Sequence, residues 1–199
     1  MNVLLQFSRA IDWLNTQIGK AVIWLILAST VISGVNAVVR KVFNMSSNAF
    51  LEVQWYLFAA SFLLAAGYTL LSQEHVKIDV VYSRWSKRTQ IWIDIIGFVF
   101  FLTPICLAIL LYGVPFFLQG YRSGEMSGNS GGLIRWPVYA MIPLGFTLLM
   151  LQGWSELIKR IAFLKGLIDD PTAKREEKTA EEELAESIRR LAEASGKPV

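Results

Sequence analysis

The chain has 199 residues, of which 54% are hydrophobic and only 18% are charged, with a formal net charge of +3. Soluble domains carry about 25% charged residues, so this composition and a mean hydropathy of +0.44 indicate a membrane protein. The single cysteine, Cys106, excludes an intramolecular disulfide. The single histidine, His75, excludes a haem held between two imidazoles of this chain.

The first 20 residues have the pattern of an amphipathic helix. Arg9, Asp12 and Asn15 fall between apolar side chains that recur every three or four residues, namely Leu4, Phe7, Ile11, Leu14 and Ile18. A helix of this kind lies in the plane of the membrane surface with its apolar face in the lipid. We therefore expect residues 1–20 to form an interfacial helix on the inner surface, before the chain turns into the membrane.

Four long apolar stretches follow, and each is long enough to cross a bilayer. A span needs about 20 mostly apolar residues, and the runs without Asp, Glu, Lys or Arg are 21–39, 53–73, 95–121 and 136–155. Backbone groups in lipid must be bonded within their own segment, so each run is predicted to be helical. The sequence predicts an all-α integral membrane protein with a four-helix domain over residues 21–165 and spans at about 21–39, 53–73, 92–118 and 136–156.

The distribution of basic residues predicts the orientation. The N-terminal segment, the loop after the second span and the C-terminal tail hold fifteen of the 19 Lys and Arg residues, and the two loops on the other side hold four. Cytoplasmic loops carry the excess of basic residues. We therefore expect both termini and the middle loop to be cytoplasmic. The last segment, residues 166–199, is predicted to be a charged cytoplasmic tail, either helical or disordered.

The sequence offers little for catalysis or for a transport pathway. It contains no Ser-His-Asp set, no glycine-rich phosphate loop and no cluster with metal-ligand spacing, so we expect neither an enzyme nor a cofactor. Transport of a polar solute needs polar or unwound segments near mid-membrane. The centres of the spans offer only hydroxyl groups, on Ser29, Ser33, Ser61 and Thr103.

The spans do contain small residues at helix-packing spacing. Ser29, Ser33 and Ala37 are spaced by four in the first span, and Ser61 and Ala65 are spaced likewise in the second. Small residues allow helices to approach closely in lipid. They predict either packing inside the bundle or docking on another membrane subunit. Together with Glu52 and Trp55 they are our candidates for packing against a partner.

The region that starts at the second span resembles a known family. Glu52-Val53-Gln54-Trp55 opens the span, Ala65-Ala66-Gly67-Tyr68 lies late in it, and Glu74-His75-Val76-Lys77-Ile78-Asp79 follows it. This pattern resembles the small membrane subunit of tripartite ATP-independent periplasmic (TRAP) transporters, over roughly residues 15–165. Four spans, cytoplasmic termini and chain length agree with the same family.

The resemblance implies a scaffold subunit in the bacterial inner membrane. Its partners would be a large membrane subunit, which imports an organic acid by symport with a cation gradient, and a periplasmic substrate-binding protein. Membrane lipids would surround it, and no nucleic acid is expected. The alternatives are a membrane anchor or assembly subunit of another complex, and a self-sufficient small channel or exporter.

The resemblance also suggests functional residues at both membrane surfaces. His75, Lys77 and Asp79 match the family string and are expected to form a structural corner on the cytoplasmic side. On the outer side, Arg122, Glu125 and Arg135 flank a glycine-rich loop. We expect these three residues to meet the binding protein.

Overall fold

The computed structural model describes residues 2–44, 47–73, 85–168 and 170. These residues contain five α-helices: α1 (Asn2–Phe43), α2 (Asn48–Leu71), α3 (Lys87–Gly97), α4 (Thr103–Ser123) and α5 (Trp136–Leu164). A π-helical turn, Phe98–Leu102, joins α3 to α4. The predicted corner of His75, Lys77 and Asp79 and nearly all of the predicted tail lie outside the described residues.

The prediction of four membrane-spanning helices is confirmed. In the described part of the chain, four helical stretches are long and apolar enough to cross a membrane: Val3–Phe43, Asn48–Leu71, Lys87–Ser123 and Trp136–Leu164. The third comprises α3, the π-helical turn and α4. The bundle has two ends. At the first, which we call the N-terminal end, α1 and α3 begin and α2 and α5 end. At the opposite end, which we call the loop end, α4 ends and α5 begins.

The first 20 residues are helical as expected, but they are continuous with the first span. With 42 residues, α1 is about 63 Å long at 1.5 Å per residue, roughly twice the thickness of the hydrocarbon core. No proline interrupts it, and the one glycine near the expected turn, Gly19, packs tightly against the ring of Tyr68, where an added Cβ would lie 2.4 Å from the ring. The helix therefore has no break at this point. Its position at the membrane surface stays a prediction.

Helix α5 is central, because it packs against each of the other helices that the structure describes. Two glycines permit these approaches. An added Cβ on Gly145 would lie 2.6 Å from the backbone oxygen of Leu63 in α2, and one on Gly153 would lie 2.3 Å from Leu102 in the π-helical turn. Small residues thus bring α5 close to its neighbours, as is usual for helices packed in lipid.

The π-helical turn is explained by Pro104. Proline has no N–H to donate, and its ring clashes with the carbonyl group four residues earlier. The helix widens by one residue just before Pro104. The backbone N–H of Thr103 then bonds to the carbonyl oxygen of Phe98, and the Thr103 hydroxyl donates to the same oxygen at 2.8 Å. Phe98, the first residue of this turn, lies beside Arg160 of α5.

Candidate functional site: polar clusters at the two ends of the bundle

Three polar side chains form a buried stripe along the last turns of α5. Gln152, Glu156 and Arg160 are spaced by four residues, which places them on one face of a helix, and they are 0%, 1% and 1% exposed. A buried ion is costly unless it is paired and hydrogen-bonded. The stripe therefore has to find its partners on the neighbouring helices.

Arg160 joins α5 to α3. Its guanidinium contacts Asp94 through Nη2 at 2.9 Å and Glu156 through Nη1 at 2.6 Å. The same group lies over the ring of Phe98, 4.7 Å from the ring centroid, in the geometry of a cation–π interaction. One buried cation thus holds α3 and the π-helical turn against α5.

Asp12 joins the same cluster to α1. Lys159 Nζ lies 3.0 Å from Asp12 Oδ2 and also contacts Glu156. The Gln152 amide donates to Asp12 Oδ1 at 2.9 Å, and the Ser155 hydroxyl donates to it at 2.8 Å. The polar face of the amphipathic segment of α1 therefore packs on α5.

Two further contacts extend the cluster to all four spans. Asn15 is fully buried in α1, donates to Gln152 Oε1 at 2.9 Å and lies so close to Gly67 of α2 that an added Cβ there would meet its Oδ1 at 2.3 Å. At the end of α2, the Gln73 amide donates to Glu156 Oε2 at 3.3 Å. We call Asp12, Asn15, Asp94, Gln152, Glu156, Lys159 and Arg160 the Glu156 cluster.

The Glu156 cluster is a network of ion pairs that joins the helices. Three carboxylates, on Asp12, Asp94 and Glu156, face two cations, on Lys159 and Arg160, and each carboxylate contacts at least one of them. Among the described residues, no three His, Cys, Asp or Glu side chains are grouped so that they could hold a metal ion. The cluster stabilises the relative positions of the spans.

This cluster was not predicted from the sequence. Arg160 and Lys159 contributed only to the count of basic residues, and Asp94 was not among the candidate residues. The spacing of Gln152, Glu156 and Arg160 could have indicated the cluster. It places a polar residue at each successive helical turn, whereas a membrane span is normally apolar on all sides.

At the loop end, residues 124–135 fold into a short hairpin. Met126 and Ile134 form an antiparallel bridge, the Ser127 N–H donates to the Leu133 oxygen at 2.9 Å, and the Arg135 N–H donates to the Glu125 oxygen at 2.9 Å. Gly124 and Gly131 have positive φ values of 61° and 70°, which glycine adopts without strain. The glycine-rich segment is thus tightly turned.

Glu52, in the first turns of α2, anchors this hairpin. Its side chain is buried, with the residue 4% exposed. Oε1 accepts hydrogen bonds from the Ser127 hydroxyl and from the Asn129 amide at 2.8 Å, and Oε2 accepts one from the Leu133 N–H at 2.7 Å. Both carboxylate oxygens are therefore bonded within the chain.

Two of the three residues predicted to meet the binding protein lie together. Arg135 Nη1 is 3.0 Å from Glu125 Oε1, and the Tyr139 hydroxyl donates to the same oxygen at 3.1 Å. Both partners of the ion pair are partly exposed. Arg122 is exposed in the last turn of α4 and is separate from this pair.

The candidates for packing against a partner divide into two groups. Ser61 is buried and Ser29 and Ala65 are half-buried; the Ser29 hydroxyl donates to the Gln54 oxygen of α2 at 3.4 Å. Ser33, Ala37 and Trp55 are exposed, Trp55 by 66%. Glu52 turns inward to the hairpin. The first group thus packs within the chain, and the exposed group is open to lipid or to another subunit.

The fold and its polar clusters define a multi-span helical membrane protein whose charges are gathered at the ends of its spans. A family model matches residues 29–163: the DctQ component of tripartite ATP-independent periplasmic transporters. The match covers more than half of the chain, so the chain belongs to this family, the small membrane subunits of TRAP transporters. A multi-pass protein of the bacterial inner membrane follows from the spans and the family. Neither a curated protein nor a solved structure matches the chain.

Proposed function

We propose that this chain is the scaffold subunit of a TRAP transporter that imports an organic acid with a cation gradient. In this proposal it braces the large membrane subunit, which carries substrate and cation, and it offers a docking surface to the periplasmic binding protein. Both termini lie in the cytoplasm, because the N-terminal end of the bundle carries most of the basic residues.

The placement of the charges supports this proposal most directly. The runs 21–39, 53–73, 95–121 and 136–155 contain no Asp, Glu, Lys or Arg. The polar groups at the two ends, around Glu156 and Glu52, are bonded within the chain. A solute pathway needs polar groups near mid-membrane that are available to the solute. A bundle of this kind is suited to holding a neighbour in place.

The exposed small residues of α1 suit contact with the large subunit. Ser33 and Ala37 are exposed one turn apart, and Gly34 beside them has no other atom within 4 Å of an added Cβ. A transmembrane helix of the partner could approach this face closely, since small side chains permit short interaxial distances. Trp55 on α2 is also exposed and is a further candidate for contact with the large subunit.

On the periplasmic side, the hairpin offers a surface for the binding protein. Glu125 and Arg135 hold each other at its base while remaining partly exposed, and Arg122 stands on the neighbouring helix end. Charges at the rim of an interface act mainly on the association rate and on partner choice. We therefore assign these three residues to docking.

Reconstitution tests the function. Proteoliposomes containing this chain and the large subunit should accumulate a radiolabelled carboxylate when the binding protein and a cation gradient are supplied. Omitting this chain should abolish uptake, and vesicles with this chain alone should show none. Carboxylate flux through the chain alone would refute the scaffold assignment. Co-purification with a redox or secretion component in place of a large transport subunit would favour the anchor reading.

A further inference from the structure

Resting on the proposed function, we infer that Glu52 is a positioning residue, which holds the hairpin of residues 124–135 in the shape that the periplasmic binding protein meets. Glu52 itself is buried and does not touch the partner. Glu52 acts through the hairpin. It forms hydrogen bonds with one side of the hairpin and thereby fixes the position of the exposed side.

The hydrogen bonds of Glu52 tie the two arms of the hairpin together. Ser127 and Asn129 belong to the outgoing arm and the tip, whereas Leu133 belongs to the returning arm, and all three donate to one carboxylate. Hydrogen bonds to an ionised acceptor are roughly twice as strong as neutral ones. The carboxylate therefore links the outgoing arm, the tip and the returning arm of the hairpin.

The composition of the hairpin makes such an anchor necessary. It contains Gly124, Gly128, Gly131 and Gly132, and glycine loses more conformational freedom on ordering than any other residue. Apart from the contacts to Glu52, the hairpin is joined to α2 through the Asn48 amide, which donates to the Ser130 oxygen at 2.9 Å, and the Tyr56 hydroxyl, which donates to the Ile134 oxygen at 3.1 Å. Glu52 is the charged member of this set.

The anchored side determines what the other side presents. Successive residues of an extended strand point to opposite faces. Ser127 turns its hydroxyl to Glu52, and the neighbouring bridge pair, Met126 and Ile134, is exposed by 57% and 36%. Two apolar side chains are thereby presented on the side of the hairpin opposite to Ser127, and the Glu125–Arg135 ion pair is partly exposed at the base of the hairpin. The hairpin thus offers both apolar and charged groups for contact with a soluble protein.

The substitution Glu52→Gln separates the carboxylate from its shape. All three partners of Glu52 are donors, and a glutamine keeps only one oxygen to accept them. The amide nitrogen of the glutamine is itself a donor, so it would face one of these donors without accepting a hydrogen bond from it. Glu52→Asp keeps both oxygens on a shorter side chain and serves as the conservative variant.

The test uses the complete transporter in proteoliposomes and titrates the binding protein. We expect Glu52→Gln to raise the half-saturating concentration of binding protein by about tenfold, which corresponds to about 1.4 kcal/mol, and to leave the maximal uptake rate unchanged. Glu52→Asp should recover part of the loss. Glu156→Gln, which changes a buried carboxylate at the opposite end, should lower the yield of the complex without moving the half-saturating concentration.

Hydrogen exchange of the purified chain gives a second readout that does not depend on transport. The amide of Leu133 should exchange faster in Glu52→Gln than in the wild type, together with its neighbours in the hairpin. Unchanged exchange, or faster exchange with an unmoved titration curve, would overturn the inference about Glu52. If wild-type uptake does not depend on the binding protein, the proposed function fails, and the role of Glu52 in docking fails with it.

Discussion

Replacing Arg160 with methionine should destabilise the protein more than any other single charge deletion in the Glu156 cluster. The guanidinium is 1% exposed and bridges Asp94 and Glu156. Methionine has a similar length and no charge, so it leaves two carboxylates without this buried cation. Breaking a buried ion pair in this way costs about 3–5 kcal/mol, and loss of the contact with Phe98 adds about 1 kcal/mol.

Thermal unfolding of the detergent-solubilised chain measures this cost. For a chain of this size, 1 kcal/mol corresponds to about 2–4 °C in Tm, so the combined cost of about 4–6 kcal/mol should lower Tm by roughly 8–24 °C. The Tm of Arg160→Lys should fall between those of the wild type and Arg160→Met, because lysine keeps the charge but lacks the planar guanidinium that bridges two carboxylates. Arg122→Met, an exposed arginine in α4, is the matched control and should change Tm by about 2 °C at most.

A double-mutant cycle separates the ion pair from other effects of the substitution. The double variant Arg160→Met with Glu156→Gln should be less destabilised than the sum of the single variants, because Glu156→Gln removes one of the two carboxylates that Arg160 contacts. The expected coupling is about 1–3 kcal/mol. A Tm for Arg160→Met within the range of the Arg122→Met control, or additivity in the cycle, would show that the cluster does not hold the bundle together.

Three further predictions address the other contacts of the bundle. Gly145→Ala should lower Tm through overpacking worth about 1–3 kcal/mol, since its Cβ would meet the backbone of Leu63, whereas Gly34→Ala meets open space and should not; equal melting curves for the two would contradict the close approach of α2 and α5. Asp12→Ala should speed hydrogen exchange in the first four turns of α1, because Lys159 and Gln152 lose their contact with that helix, while the exposed Arg9→Ala should not; equal protection in both would mean that α1 does not depend on the cluster. Ser33→Cys should crosslink to a cysteine-scanned helix of the large subunit more readily than Leu111→Cys on the exposed side of α4, and the reverse preference would move the proposed interface away from α1.

Hydropathy alone was sufficient to predict the four spans. The thickness of the bilayer imposes the length of an apolar run, so four runs predicted four helices. The change in polarity near Lys20 led us to expect a turn there between an interfacial helix and the first span, and the position of residues 1–20 at the membrane surface stays a prediction. A helical backbone continues through such a change unless proline or an unsatisfied backbone group stops it, and α1 continues to Phe43.

The two clusters depend on contacts between residues far apart in the chain. Asp12 and Lys159 are 147 positions apart, and Glu52 and Leu133 are 81 positions apart. Which turn of α1 faces which turn of α5 is decided by how side chains pack, and no periodicity within one helix records it. The sequence could place Glu52 at the start of a helix, where a carboxylate is favoured. It could not show that a later loop would return to that position.

The internal bonding of the polar groups has a consequence for how this subunit holds its neighbour. Glu52 and Glu156 direct their carboxylates into the chain, and even the exposed hydroxyl of Thr30 donates to the Ile26 oxygen of its own helix at 2.9 Å. On the exposed side of α1, Ser33, Gly34 and Ala37 carry small side chains and no charge. Because there is no hydrophobic force between helices in lipid, association at this face relies mainly on close van der Waals packing. The proposed interface with the large subunit should accordingly be sensitive to side-chain volume at Ser33 and Ala37: alanine at position 33 should be tolerated, and leucine at either position should separate the complex during purification. Retention of the large subunit by both leucine variants would show that the contact lies on another face of the bundle.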